Sequence, residues 1–283
     1  MIFFIIIIIL LLLFIIVDII DINRFVLAKY EISSDKLDKE LKLVVLADMH
    51  NREYGKDNIK LVRAIKALEP DMIICAGDML TAHPGESRLA PIRLFGQLKE
   101  FPIYYGIGNH EYRLKLYPED YGEAYLEYTD ELKKLGITVL ENDSLDLPQY
   151  NISIRGLLME KKYYMRFEKH DMPDDYVEKM TGPLDASKLG IMIAHDPYYF
   201  DAYAKSGIDL VLSGHVHGGI MRLPLLGGCI SPRLKLFPKY DGGRFEIDGT
   251  TMVLSRGLGC HTLPLRIFNP GELVVITLKP IKK

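Results

Sequence analysis

Apolar and polar positions divide the chain into two different materials. Ile2 to Val17 is an unbroken apolar run of Ile, Leu and Phe; Asp18 interrupts it, and Ile19-Ile20 extend it before Asp21. A bilayer span takes ~17–25 residues, so the run predicts a transmembrane anchor over residues 1–22 with Asp18 at the interface. The competing reading is a cleaved signal peptide. Against it, no Lys or Arg precedes the run and no small-x-small site follows it. Arg24 and Lys29 follow the segment, which favours a cytoplasmic catalytic domain and a place at the cell membrane.

From residue 41 the pattern changes to short apolar runs separated by amphipathic stretches. Leu43–Ala47, Met72–Ala76, Ile191–Ala194 and Leu210–Ser213 read as buried strands, and Pro102–Ile107 as a more ambiguous one. Asp57–Leu68 carries Ile59, Val62, Ile65 and Leu68 at helical spacing. Arg88–Lys99 and Glu119–Leu135 are further helices, the latter stopped by Gly136. Ile137–Leu140, Ile152–Gly156, Met252–Ser255 and Leu273–Leu278 complete the predicted strands. The alternation argues for an α/β domain over 41–283 with a largely parallel core. Residues 23–40 read as a linker in which Phe25–Ile32 is a candidate edge strand and Ser33–Glu40 a charged loop. Tyr163–Thr181 breaks the rhythm. It reads either as a cap beside a site or as a solvated surface loop with one short helix.

Composition narrows the picture only slightly. With 283 residues, 48% hydrophobic and 26% charged, the chain is long enough for one large globular domain. A net charge of −3 and the lack of a basic, aromatic-rich stretch argue against a nucleic-acid partner, and no protein partner is evident. Cys75, Cys229 and Cys260 have no metal-type spacing; Cys75 reads as core, and a disulfide framework is not expected.

The chemistry sits at the ends of the apolar runs. Asp48-Met49-His50, Gly77-Asp78, Gly108-Asn109-His110-Glu111, Ala194-His195-Asp196 and Gly214-His215-Val216-His217 each follow one. Open α/β sheets place their sites at such strand ends. Carboxylate, imidazole and amide oxygen suit divalent metals, and no thiolate takes part. Asp48 and His50, two apart in an extended segment, would project to one side and grip one ion. Gly77 permits a tight turn before Asp78, whose two oxygens could bridge two ions. Asn109, His195, His215 and His217 bring the candidate ligands to seven, a set that suits two divalent metals sharing one bridge. Manganese, iron, zinc and nickel all accept such donors. Alone, an Asp-x-His or Gly-Asp pair is weak, and a lone His such as His195 is more often a hydrogen-bonded core residue. The joint occurrence carries the argument. His83, His170 and His261 lack ligand-like neighbours in sequence, and the first two read as loop or surface residues.

The motif series from Asp48 to His217 resembles the calcineurin-like metallophosphoesterases. Four segments of the tail add to the likeness: Gly218-Gly219-Ile220, Phe237-Pro238-Lys239-Tyr240, Ser255-Arg256-Gly257-Leu258-Gly259 and Arg266-Ile267-Phe268-Asn269-Pro270. They resemble membrane-anchored bacterial phosphodiesterases of the YkuE and YaeI type, some of which are linked to UDP-2,3-diacylglucosamine hydrolysis. The resemblance implies a four-layer α/β/β/α sandwich of two mixed sheets with the site at their carboxyl edge. It also implies one metal on Asp48, His50, Asp78 and His217 and another on Asp78, Asn109, His195 and His215. His110 would face the phosphate as the catalytic residue. Glu111 stands where many relatives have Asp, and either carboxylate could orient His110. Asp196 stands where relatives often carry Asn.

The expected activity is hydrolysis of a phosphodiester by in-line attack of a hydroxide shared between two ions. Arg52 and Arg113, close to motif residues, are candidates for substrate binding. The anchor through residues 2–20 makes the lipid bilayer a partner and a lipid-linked or sugar-nucleotide substrate an expectation. A phosphomonoesterase or nuclease on the same site is the first rival. A non-catalytic metal-binding interaction module is the second, since fold does not fix function. Such modules tend to lose the His of the Gly-Asn-His motif, which is present here as His110.

Overall fold

The computed structural model describes residues 1–281 apart from 166–167, 169, 220, 224–225, 232–234 and 261–263, so Ile220 of the first tail motif, and His261, lie outside the described residues. In chain order the helices are α1 (Ile2–Ile22), α2 (Ile59–Leu68), α3 (Leu89–Gly96), α4 (Asn109–Leu116), α5 (Pro118–Tyr121), α6 (Ala124–Lys134), α7 (Tyr176–Thr181) and α8 (Phe200–Lys205). The strands of the first sheet are β1 (Phe25–Ser34), β2 (Leu41–Leu46), β3 (Met72–Cys75), β4 (Ile103–Gly106) and β5 (Thr138–Leu140), closed later by β14 (Gly271–Pro280). The second sheet holds β6 (Asp143–Leu147), β7 (Ile152–Leu157), β8 (Leu189–Ala194), β9 (Leu210–Ser213), β12 (Gly243–Ile247) and β13 (Thr250–Leu254). A small hairpin, β10 (Arg222–Leu223) with β11 (Gly227–Gly228), lies apart from both.

The sheets run in the orders β1-β14-β2-β3-β4-β5 and β12-β13-β9-β8-β7-β6. They pack face to face through alternate residues: Leu43 and Val45 of β2 meet Ile154, Ile193 and Leu212 of the second sheet. The intervening Val44 and Leu46 point outward to Leu61, Ile65 and Leu94 of the helical layer. Met192, Val211 and Met252 bury the other outer face under Phe200 and Tyr203 of α8 and Tyr176 and Val177 of α7. Strands buried on both faces read as continuous apolar runs. That is why these runs were legible without alternation.

Both sheets are mixed, as the resemblance implied, and less parallel than the β/α alternation suggested. β14 returns antiparallel to β2, and β6 and β12 are antiparallel edges. Strand direction leaves no mark on a run buried on both faces. β1 pairs in parallel with β14 from Phe25–Gly271 to Ser34–Pro280, so Ser33 and Ser34 belong to a sheet edge and not to the charged loop. The stretch Glu119–Leu135 is two helices, broken at Gly122 (φ +59°, ψ −132°). Helix α4 had no apolar stripe to announce it, because it buries only Glu111 and Leu114. Tyr163, Tyr176 and Val177 pack on the second sheet's outer face, so much of 163–181 belongs to the helical layer.

Candidate metal centre

Parallel neighbours present their carboxyl-end loops side by side. In the first sheet β2, β3 and β4 are adjacent and parallel; in the second, β8 and β9 are. The five motifs follow these five strands and interlock through backbone hydrogen bonds. Asp48 N–H donates to Gly77 carbonyl (3.0 Å), His50 N–H to Asp78 carbonyl (3.1 Å), and Gly214 N–H to His195 carbonyl (3.0 Å). Gly77 sits at φ +88°, and a Cβ there would stand 2.6 Å from Gly108 Cα. The turn before Asp78 therefore requires glycine for its backbone and for the closeness of its neighbour.

Asp48 and His50 are not extended. Their φ values are 50° and 47°, and Asp78, His215 and His217 are also left-handed at 54°, 72° and 54°. Non-glycine residues pay for this conformation, and such strain collects at functional sites. The carbonyls of Gly77 and Asp78 impose it on the β2 loop through the bonds just described. The chain turns tightly enough for Asp48 and His50 to converge on one point despite the missing extended geometry.

Among the described residues the site holds three overlapping groups of possible ligands; one, of His50, Asp78 and His110, links two outer clusters. Asp48, His50 and His217 form one outer cluster, with His217 Nε2 3.1 Å from His50 Nε2 and 3.4 Å from Asp48 Oδ1. Asp78, His195 and His215 form the other, with His195 Nε2 3.1 Å from Asp78 Oδ2. The Asn109 side-chain amide faces the second cluster, 3.1 Å from His195 Nε2 and 2.7 Å from His215 Nδ1. Asp78 lies between the clusters, its Oδ2 also 3.9 Å from His50 Nε2. All seven candidate ligands thus surround one site.

The donor arrangement fits cations. His195 Nδ1 lies 2.7 Å from Ala76 carbonyl, so its proton sits there and Nε2 aims a lone pair at the Asp78 carboxylate. Similarly, His217 Nδ1 faces Gly259 carbonyl at 3.3 Å, which turns Nε2 toward Asp48 and His50. Lone pairs facing one another repel unless a positive charge lies between them. A proton can serve. Burial lowers the pKa of His195, but the charge and hydrogen bond of Asp78 and the charge of Asp48 outweigh it and raise the value to about 10. Burial pushes Asp48 up to about 7, assisted by the Asp78 charge. Asp78 is buried too, yet His195, His110 and His50 hold its carboxyl well below the usual range. A metal ion supplies the same positive charge without a proton.

His110 stands on the open side, its ring edge-on to His50 at 4.7 Å. The expectation that Glu111 orients it is corrected by the structure. His110 Nδ1 accepts from Ala82 N–H at 2.9 Å, which places the neutral ring's proton on Nε2. Burial lowers its pKa, favouring that neutral form. Glu111 instead accepts from the backbone N–H groups of Asp78 (2.9 Å), Met79 (2.9 Å) and Gly108 (3.1 Å), and from Tyr105 hydroxyl (2.7 Å). It ties the β3 and β4 loops together from beneath. The sequence signal was a helix-start pattern, an acid three residues after Gly108.

An open pocket of about 460 Å³ reaches the site, walled by His50, His110, Arg52, Thr81, His83 and Glu86 among others. Arg52 is part of this wall; its Nη2 donates to Asn23 Oδ1 at 2.7 Å. Arg113 is exposed on α4, where it donates to Tyr121 hydroxyl and lies over the Tyr117 ring. His83, read as a loop residue, is one and also lines the pocket, whereas His170 pairs with Glu168. Asp196 accepts from Tyr198 N–H and lies 3.8 Å from His215 Nε2.

The tail closes the back of the site. Arg266 is fully buried, and its guanidinium donates to the carbonyls of Arg256, Gly257, Gly259 and Asn269. Asn269 Nδ2 donates to His217 carbonyl at 2.7 Å and Gly219 carbonyl at 2.6 Å. At Gly257 (φ +72°) a Cβ would come within 2.6 Å of Asp48 Cβ. The tail motifs therefore hold the Asp48 and His217 loops in place. In sequence alone only the resemblance marked them.

Comparison with known proteins returns the same chemistry. The calcineurin-like phosphoesterase profile matches residues 41–219. A metallophosphoesterase of Helicobacter pylori, described as uncharacterized, is 32% identical over 251 residues, 87% of this chain and 62% of its own length. The metallophosphoesterase YkuE of Bacillus subtilis is 27% identical over 254 residues, covering 84% of this chain and 79% of that protein. A transmembrane protein with a metallophosphoesterase domain from Danio rerio is 28% identical over 264 residues, 88% of this chain and 56% of its own. The chain thus spans about three fifths of the Helicobacter relative.

Proposed function

This chain belongs to the calcineurin-like phosphoesterase family, and from that premise we propose a membrane-anchored, two-metal phosphodiesterase. The observation that carries the reading is the pair of ligand clusters linked through His50 and Asp78. Asp48, His50, Asp78 and His217 would hold one ion, and Asp78, Asn109, His195 and His215 the other. Manganese, iron, zinc or nickel suits these donors. Divalent ions in such a site lower the pKa of bound water and neutralise charge on phosphoryl oxygens.

The chain's own residues supply the rest. His110, with its proton on Nε2, is the catalytic group: it donates a hydrogen bond to the phosphoryl or leaving oxygen. Glu111 fixes the loops that aim Asp78 and His110. Arg52 is the one Arg or Lys on the described pocket wall, and Glu86 shares that wall. One cation beside one acid suits a monoanionic diester better than a dianionic monoester, and the pocket has room for a second ester group.

We place the anchor at residues 1–22 and the catalytic domain after it, with β1 as its first strand. Helix α1 is long and apolar enough to cross a membrane and is a candidate anchor. Arg24 and Lys29 beyond it favour a cytoplasmic catalytic domain. Such an anchor favours a substrate with a lipid part, such as a lipid-linked sugar nucleotide.

Two measurements test the proposal. Elemental analysis after manganese loading should approach about two equivalents per chain; saturation at one would overturn the dinuclear assignment. At equal metal loading, kcat/KM for p-nitrophenyl phenylphosphonate should exceed that for p-nitrophenyl phosphate. A clear preference for the monoester would make the protein a phosphomonoesterase.

A further inference from the structure

We propose that Leu226, Leu236, Phe237, Leu265 and Phe268 form a second membrane contact, a collar that enters the bilayer interface beside α1 and seats the metal pocket against the lipid surface. The proposal rests on the reading of α1 as an anchor. Asp18 Oδ1 accepts from Arg266 N–H at 2.7 Å, and Asp21 Oδ2 accepts from Asn269 N–H at 2.9 Å. The two acids that interrupt the apolar run are therefore fastened to the segment 266–269. In a spanning helix such carboxylates belong at headgroup level. The segment bonded to them must lie at that level as well.

Hydrogen bonds carry this surface outward. Arg222 N–H donates to Ile267 carbonyl (3.0 Å), Cys229 N–H to Met221 carbonyl (2.8 Å), and Phe237 N–H to Cys229 carbonyl (2.9 Å). The β10–β11 hairpin, with Leu226 between its strands, and the turn at Leu236-Phe237 are thus tied in series to the segment beside α1. Their apolar side chains face water: Leu226 is 63% exposed, Leu236 69%, Phe237 55% and Phe268 50%. Other exposed large apolar residues, such as Leu89 and Leu126, are dispersed over the helical layer. Contiguous exposed apolar groups mark interaction surfaces, whereas single ones do not.

Phe237 and Phe268 also occupy left-handed backbone, at φ 46° and 54°. A bulky residue held there and pointed at water is costly twice over. Insertion among acyl chains removes the second cost. The site lies at the same level: Arg52 of the pocket wall bonds Asn23, the residue that caps α1, and Pro264 lines the pocket one residue before Leu265. A substrate headgroup would reach the metals without leaving the membrane surface.

The chain contains no tryptophan, so single reporters can be placed. Phe268→Trp, Phe237→Trp and Leu226→Trp, made in the full chain and reconstituted in phosphatidylcholine vesicles, report on the collar. Ile15→Trp reports on the anchor and Leu126→Trp on the distant helical layer. Lipids brominated near the top of the acyl chain should cause roughly a two-fold loss of emission at the collar positions, matching insertion of ~5–10 Å, and at position 15. Emission at position 126 should be unchanged. Metal content identifies any variant that fails to fold, and the remaining collar reporters then decide. Quenching at 15 with none in the collar overturns the collar and leaves the anchor standing. Quenching in the collar with none at 15 keeps the collar as a peripheral contact and removes the anchor. No quenching at either, or equal quenching at 126, overturns the proposal.

Discussion

His110 and Glu111 are neighbours with separate tasks, and substitution should separate them. His110 faces the pocket and is proposed to act on substrate, so His110→Ala should retain metal and lose ~10²–10⁴-fold in turnover. Asp78→Asn should lose both, because Asp78 belongs to one outer cluster and is grouped with His50 of the other. Turnover of bis(p-nitrophenyl) phosphate beside metal content reads the two cases; a near wild-type rate for His110→Ala would remove its assigned role. Glu111 accepts three amide protons and one hydroxyl proton while buried. Glu111→Gln should cost roughly 2–4 kcal/mol of stability, since a neutral amide offers one acceptor oxygen and adds donors that face N–H groups. A urea midpoint equal to wild type would show that the loop junction tolerates its loss. Among residues, the ligand types were legible in sequence, but the partner that orients His110 was not. Ala82 contributes a backbone N–H, which no side-chain pattern encodes.

Elements were legible where packing is two-sided. β9 falls on the same residues as the apolar run Leu210–Ser213, and β3 differs from its run by one. The helices around the site were harder, because α4 displays polar residues to the pocket and carries no stripe. Least readable was the tail, whose loops are held by one buried guanidinium. Arg266→Lys should expose the consequence. Lysine cannot reproduce the planar fan of donors, so several buried carbonyls lose their partners. A destabilisation of roughly 2–4 kcal/mol is expected, together with weaker manganese binding, because the Gly257–Gly259 loop abuts Asp48 and Met49. Isothermal titration with manganese checks this; unchanged affinity would mean that the ligand loops hold their shape without the tail.

At the scale of the whole molecule, the site gathers buried carboxylates and imidazoles that need positive charge, so metal removal should be felt throughout the fold. Free metal at 100 times its Kd stabilises by about 2.7 kcal/mol per site, and chelation should lower the Tm accordingly. The loss should grow with pH. In the metal-free protein, burial and Asp78 raise the Asp48 carboxyl to about 7, and the neighbouring carboxylates raise His195 to about 10 despite its burial. Raised folded-state pKa values mean that bound protons stabilise the fold below them, and that this stability is lost as pH rises through about 7 and then toward about 10. The chelated protein should therefore melt lower at pH 8.5 than at pH 6, and manganese should narrow the difference. Equal melting temperatures at the two pH values without metal would show that the site needs no compensating charge.

The apolar runs, the strand-end placement of Asp, His and Asn, and the apolar N-terminal helix were determined by the sequence alone. Each is a local consequence of burial or of residue chemistry, and burial on both faces writes itself into consecutive positions. Tertiary structure decided the direction of β14, the left-handed turns at Asp48 and His50, the task of Glu111, and the fastening of Asp18 and Asp21 to the tail. These depend on backbone groups far apart in the chain that meet only after folding. Outside proline, backbone N–H and C=O groups are alike at every residue, so side-chain patterns seldom foretell which distant ones will pair.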